Sequence, residues 1–286
     1  MPFEYAGFEM AYDLMRIWSD AFPQDNADDI RKFITLALKT YNCAVWKEDG
    51  HPVSMAFTLP AVLELKSGSL NLCYIYAAAT LTEYRGQGLF ARLLGNVQEQ
   101  LANNGVDACF LRPASPRLFD YYGRLGYKPF FYFISENLSS DNFQVNTDRS
   151  LNDFTEIQET AFRNKLLENH SAWVRWPDVL LSFAMQNAVQ TGGAVIGGDR
   201  GWAICERYGD KLFIREWLCG PEMEEALRRK VAVRFPGLDI IRRRPVNQTE
   251  ILQSEPFGML YPLTNAAAEK IKTVESAIPY MGLAFD

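Results

Sequence analysis

Apolar residues first recur at helical spacing over residues 8–22, where Met10, Leu14, Ile17, Trp18 and Phe22 fall near one face before Pro23 stops the run. A second helix follows from Asp28, with Ile30, Phe33, Ile34, Ala37 and Leu38 at the same spacing. The period then changes to that of extended chain. CAVWKED, a turn at Asp49 and Gly50, PVSMAFTLPAVLEL, a break at Ser67 and Gly68, and SLNLCYIYAAATL predict three antiparallel strands. Helical spacing returns at Leu89, Leu93, Leu94, Val97 and Leu101, and Asn103, Asn104 and Gly105 close that helix. A short apolar strand over 108–111 comes next. Ser115 then reads as the N-cap, and Pro116 as the first residue, of a helix that runs through Tyr122 and ends before Gly126. The run YKPFFYFISENL supplies the last strand of this half.

From about Leu151 the order restarts. A helix containing Ile157 and Phe162, a Trp-rich turn and a helix over 177–189 precede strands at AVIGG, GWAICERYG and KLFIREWLC. A helix over 224–233, a strand at DIIRRRP and a closing strand at PYMGLAFD complete the chain. The repeated element order, without sequence that aligns by eye, suggests an ancient duplication into two tandem lobes over residues 1–140 and 151–286. The predicted fold class is α/β (α+β), a mixed, mostly antiparallel sheet with flanking helices.

Composition narrows the function classes. With 48% hydrophobic and 22% charged residues, the 286-residue chain can bury a sizeable core and has no long disordered tract. Lys and Arg total 29 against 35 Asp and Glu, and the resulting charge of −6 argues against a nucleic-acid partner. The one basic cluster, Arg242, Arg243 and Arg244 before Pro245, reads as a solvated strand end. Five scattered cysteines predict buried free thiols in a reducing cytosol. His51 and His170 are the only histidines and no Cys-x-x-Cys occurs, so no metal site is expected. The start MPFEYAGFEM lacks the basic end and apolar core of a signal peptide, and no apolar run approaches the roughly 18–20 residues of a membrane span. A cytoplasmic chain with no membrane partner is the expectation.

Chemistry concentrates in one segment. A strand leading into Arg85, Gly86, Gln87, Gly88, Leu89 and Phe90, and then a helix, places unpaired backbone N–H groups at the positive end of a helix dipole, which suits a pyrophosphate. Glycines at 86 and 88 allow backbone conformations and a close approach that side chains obstruct. Gly-x-Gly by itself is a weak signal, equally explained by a tight turn. A dinucleotide fingerprint asks for a third glycine where Ala91 stands, and for parallel strands rather than hairpin neighbours. A nucleoside-triphosphate loop asks for Lys and Ser or Thr where Leu89 and Phe90 stand.

Over residues 28–130 the chain resembles the GNAT superfamily of N-acetyltransferases. Two stretches carry the resemblance: TLTEYRGQGLFARLL, in which Arg85 and Gly88 match the family's phosphate-loop signature while Phe90 replaces its final small residue, and LFDYYGRLGYKPF, similar to the family's Phe-Tyr-three residues-Gly-Phe element. The resemblance implies acetyl-CoA as co-substrate. Backbone groups of the Ala78, Ala79 and Thr80 strand segment would pair with the pantetheine arm, and Arg85, Gly86, Gln87, Gly88, Leu89 and Phe90 would hold the pyrophosphate. Tyr122 matches the tyrosine that protonates the departing thiolate, a role suited to a phenol beside developing charge. Core packing is the plain alternative for Tyr121 or Tyr122. No residue is marked out as the base that takes the amine's proton. Glu64, Glu83 and the carboxylates of Asp286 are the candidates, the last because the tandem arrangement loosely resembles acetyltransferases of the enhanced-intracellular-survival type, which use a terminal carboxylate.

The reaction expected is acetyl transfer to a primary amine of a small molecule or peptide, with the second lobe shaping the acceptor site. That lobe has acidic PEMEEALRR where a glycine loop would stand, so one CoA site per chain is expected. A non-catalytic acyl-CoA sensor or interaction protein is the alternative, followed by a peptide transferase of cell-wall type. A homodimer is compatible with the sequence.

Overall fold

A computed structural model of the chain describes residues 2–138, 154–274 and 278–285. In chain order the elements are β1 (Phe3–Tyr5), α1 (Ala11–Ala21), α2 (Ala27–Thr40), β2 (Asn42–Glu48), β3 (His51–Leu65), β4 (Gly68–Thr80), α3 (Leu89–Asn103), β5 (Ala108–Leu111), α4 (Pro116–Arg124) and β6 (Lys128–Leu138). They continue as β7 (Thr155–Glu156), α5 (Ala161–Leu167), β8 (Ala172–Arg175), α6 (Asp178–Gln190), β9 (Ala194–Gly198), β10 (Gly201–Tyr208) and β11 (Lys211–Cys219). α7 (Glu224–Arg234), β12 (Asp239–Arg244), β13 (Glu255–Pro262) and α8 (Asn265–Val274) complete the series. Two compact units result. The first gathers Met1–Leu63, Ser69–Pro129 and Gly258–Thr273, and the second Glu64–Gly68, Phe130–Phe257 and Val274–Asp286.

In the first unit, β1 and β2 pair antiparallel from Phe3↔Trp46 to Tyr5↔Ala44, and β2 and β3 pair antiparallel with Cys43 opposite Phe57. β4 and β5 are parallel, and the Met259–Pro262 part of β13 closes against β5, with Met259 opposite Leu111. Of the residues their periodicity singled out, α1 to α3 bury Leu14, Ile17 and Trp18, Ile30, Phe33 and Ile34, and Leu93, Leu94 and Val97, while Met10, Phe22, Leu38 and Leu101 are only partly buried. The start of α2 is fixed by the Asn26 side chain, which accepts from the N–H groups of Asp28 at 2.8 Å and Asp29 at 3.3 Å. Ser115 precedes α4 in extended conformation but makes no side-chain cap bond, so Pro116 alone marks that helix start.

In the second unit β9, β10 and β11 form an antiparallel meander and β12 joins β11 in parallel. The element order β9-β10-β11-α7-β12 repeats β2-β3-β4-α3-β5, including the one parallel step, as a duplication requires. Its core packs Phe154, Ile214, Trp217 and Leu227 together. Four sequence expectations change here. Ile157 lies outside a helix, its N–H bonded to Val195 O at 2.9 Å, while Phe162 is helical. The run 280–284 is buried, with Phe285 partly so, but among the described residues it forms only an isolated bridge from Tyr280 to Trp173, because Gly282 (φ +71°) and Phe285 (φ +53°) turn the backbone out of the extended region. β13 and α8 have no counterpart in the sequence reading.

The fourth change concerns the arginine cluster, which is no solvated strand end. β12 lies between β6 and β11, so its side chains meet neighbours on both sides. Arg242 is 3% exposed and binds Glu136 at 2.8 Å and Glu224. Arg244 binds Glu136 at 3.0 Å and Glu250 at 2.7 Å, and the Arg243 guanidinium lies over the rings of Phe133 and Phe257 at 5.4 and 5.3 Å. Cys43, Cys73, Cys109 and Cys205 are free and buried, and Cys219 is free and partly buried. No helix of the described residues is long and apolar enough to cross a membrane.

Candidate active site

β4 carries the first element of the site. Its parallel ladder with β5 runs from Leu72↔Ala108 to Tyr74↔Phe110, yet β4 itself continues to Thr80. Between those points Ala77 takes a left-handed conformation, φ +46°, which L-residues adopt at a cost and which breaks the pleat. Beyond it the Ser54 hydroxyl donates to Ala79 O at 2.9 Å and Leu81 N–H donates to Val53 O at 2.9 Å, so residues 79 and 81 face β3. Alternation along the strand turns the backbone groups of Ala78 and Thr80 to the opposite edge, the one β5 has left.

The turn after β4 carries the second element. Thr82–Tyr84 form a single 3-10 turn, Arg85 is extended, and Gly86 and Gly88 stand at φ +77° and +74°. A Cβ at either glycine meets nothing within 4 Å. The demand for glycine is therefore conformational, with open space left in front of the loop. α3 begins at Leu89 with no side-chain cap and no acidic residue in its first turn, and its first backbone bond is Arg92 N–H to Gly88 O at 3.1 Å. The N–H groups of Leu89, Phe90 and Ala91 thus lack helical acceptors at the positive end of a 15-residue helix. Gln87 and Gly88 are exposed and Leu89 is buried as an anchor.

Arg85 points back rather than forward. Its Nε donates to Thr80 O at 2.8 Å and its Nη2 to Asp20 Oδ2 at 3.1 Å. Asp20, in the last turn of α1, is a contributor that sequence reasoning missed, since 62 residues separate it from its partner Thr82 and no local pattern marks it.

α4 supplies the third element. Tyr122 is 7% exposed and packs edge-on against Tyr121 at 5.2 Å, Tyr127 at 5.8 Å and Phe90 at 6.3 Å. The Phe90 ring thus turns from the loop toward Tyr122. Burial, aided by Tyr121, pushes the Tyr122 hydroxyl above the ordinary phenol range, so it stays protonated at neutral pH. Tyr121 is half-buried. Tyr127 accepts from Gln98 Nε2 at 3.2 Å, and Tyr261 stands close to Gly126, where a Cβ would meet its ring at 2.9 Å.

The equivalent helix start in the second unit is closed to anions. α7 opens with Glu224 and Glu225, and the Glu224 carboxylate accepts from Trp217 Nε1 at 2.8 Å, Cys219 Sγ at 3.2 Å, Arg228 Nε at 2.9 Å and Arg242. Half-burial alone would raise its pKa, but the Arg242 bond and charge dominate and hold the carboxyl at about 2.

Residues 9–130, the span holding all three elements, match the family model described as the acetyltransferase (GNAT) domain. This segment is a GNAT acetyltransferase domain. Solved structures share the fold across the chain. A conserved protein of unknown function from Enterococcus faecalis V583, described as a probable N-acyltransferase, is 16% identical with a TM-score of 0.75 over 93% of this chain and 73% of that one. A GCN5-related N-acetyltransferase from Anabaena variabilis is 18% identical, TM-score 0.71, over 93% and 74%. A tandem GNAT protein from the clavulanic acid biosynthesis pathway is 11% identical, TM-score 0.52, over 92% and 98%. None of the curated proteins matches.

The other carboxylates read from the sequence lie on different elements. Glu83 is exposed on the turn after β4. Glu64 belongs to the second unit, where Arg175 Nε holds its carboxylate at 2.6 Å. Asp286 lies outside the described residues.

Proposed function

We propose that this chain moves the acetyl group of acetyl-CoA to a primary amine of a small molecule or peptide. One observation carries the reading: two left-handed glycines precede an uncapped helix N-terminus directly after a strand whose free edge opens at Ala77. The pantetheine arm would extend along β4 and pair with the backbone of Ala78 and Thr80, as an added strand pairs with a sheet edge. The pyrophosphate would then meet the N–H groups of residues 86–90, where charge is favoured by the dipole and approach is unobstructed. Attack by the amine on the thioester carbon forms the C–N bond and breaks the C–S bond. The thiolate leaves with a proton or hydrogen bond from Tyr122, whose raised pKa keeps that proton available, and the proton that the amine nitrogen loses passes to water and so restores the phenol. One CoA site per chain follows from Glu224 filling the second unit's helix start.

Calorimetry with acetyl-CoA, followed by thiol release against a panel of amines, tests the proposal. Binding at one site with amine-dependent thiol release is the expected result. Binding without release on any amine favours a CoA-binding protein instead, and no binding removes the site.

A further inference from the structure

Resting on that reading, we propose that Asp20 is a positioning residue for the pyrophosphate loop and that Arg85 serves as its brace rather than as a phosphate ligand. A single oxygen, Asp20 Oδ2, accepts from Thr82 N–H at 2.8 Å, Thr82 Oγ1 at 2.9 Å and Arg85 Nη2 at 3.1 Å. The Nε of the same guanidinium donates to Thr80 O at 2.8 Å. The chain from Thr80 to Arg85 is thereby closed into a ring pinned to the end of α1. This is the limb from which Gly86 and Gly88 depart.

The consequence is entropic. Two glycines flanking Gln87 give the loop more backbone freedom than residues with side chains would, and ordering them around an anion costs affinity unless the limb entering them is already held. Asp20 holds it from outside the loop, through Thr82 and Arg85. The neighbouring helix turn is anchored in its turn, because Trp18 packs edge-on against Tyr76 of β4 at 5.5 Å and its Nε1 donates to Asp25 at 2.8 Å. α1 therefore offers a rigid support for the clamp. Arg85, with its charge matched by Asp20, is directed away from the open side of the loop.

The test compares the full chain with Asp20→Ala and Asp20→Asn, measuring affinity for CoA and for S-acetylpantetheine, which lacks the pyrophosphate. Amide hydrogen exchange over residues 80–90 and thermal melts are recorded alongside. Asp20→Ala is expected to weaken CoA about 10-fold, leave S-acetylpantetheine unchanged and speed exchange at Thr82 without a large fall in the melting midpoint. Asp20→Asn retains an acceptor for Thr82 and should fall between the two. Equal losses for both compounds would make Asp20 a general support and overturn the proposal. So would unchanged CoA affinity, or tighter CoA binding, which would mean that Asp20 restrains a phosphate-seeking Arg85. If the parent chain binds no CoA, the functional reading fails and the clamp with it; if the parent binds and Asp20→Ala matches it, the clamp alone fails.

Discussion

Replacing Gly88 by Asn and by Asp separates backbone strain from charge at the proposed phosphate loop. Gly88 stands at φ +74°, and a Cβ there meets nothing within 4 Å. Both replacements tolerate the left-handed region better than other residues and are nearly isosteric, so each should cost about 1 kcal/mol of stability or less. Either side chain can also compete for the first-turn N–H groups, a loss common to both. What differs is one negative charge. At about 6 Å from a phosphate charge, with an effective dielectric of about 20–80, the repulsion is about 0.7–2.8 kcal/mol, or about 3- to 100-fold in affinity. Calorimetry should therefore find Gly88→Asp weaker for CoA than Gly88→Asn by about 10-fold at low salt, with the gap shrinking as salt rises from about 0.05 to 0.5 M. Melting curves of the two variants should coincide. Equal CoA affinities in two folded variants would refute a pyrophosphate at this helix start.

Tyr122→Phe should lower turnover about 10- to 1000-fold with acetyl-CoA affinity nearly unchanged, while Tyr121→Phe does much less; parental turnover in the first variant would remove Tyr122 from the chemistry. In the second unit, Gly282→Ala places a Cβ against Glu216 Oε1 and within 2.5 Å of Arg163 Nη2, at φ +71°. Arg163 and Glu216 are fully buried and paired at 2.9 Å, so about 2–4 kcal/mol of destabilisation is expected in urea melts, and a parental melt would show that the pair yields freely. Glu224 is depressed to about 2 from 4.5, so its stabilising contribution is complete above about pH 4.5 and is lost as pH falls toward 2. Glu224→Gln should accordingly be less stable than the parent at pH 7, with the difference closing in acid; a gap that persists unchanged at pH 2 to 3 would contradict the Arg242 pairing.

Much of the fold was legible because periodicity reports which face of an element meets the core. Leu93, Leu94 and Val97 had to share a helical face, and the alternating strands on either side of Gly50 had to pair through a tight turn, whatever lay beyond them. The glycine turn after β4 was legible for a similar reason. Left-handed backbone at 86 and 88 demands glycine, so the letters themselves record the conformation.

Other features left no such mark. Ala77 is left-handed without being glycine, and the opening of β4 at that point arises from where β5 stops pairing, a property of two strands rather than of one. Arg242, Arg243 and Arg244 look like a solvated run until Glu136, Glu224 and Glu250 arrive from distant parts of the chain. The Gly258–Thr273 segment follows the second half in sequence but joins the first unit, where Met259 to Pro262 pair with β5. Asp20 illustrates the same limit at the site. By itself the sequence determined the elements, their inward faces and the glycine-dependent turn, because each is set by interactions within a few residues. Only the tertiary structure decided which strand edge stays open, which arginines are neutralised and which carboxylate grips the loop, because those depend on groups that meet across long stretches of chain.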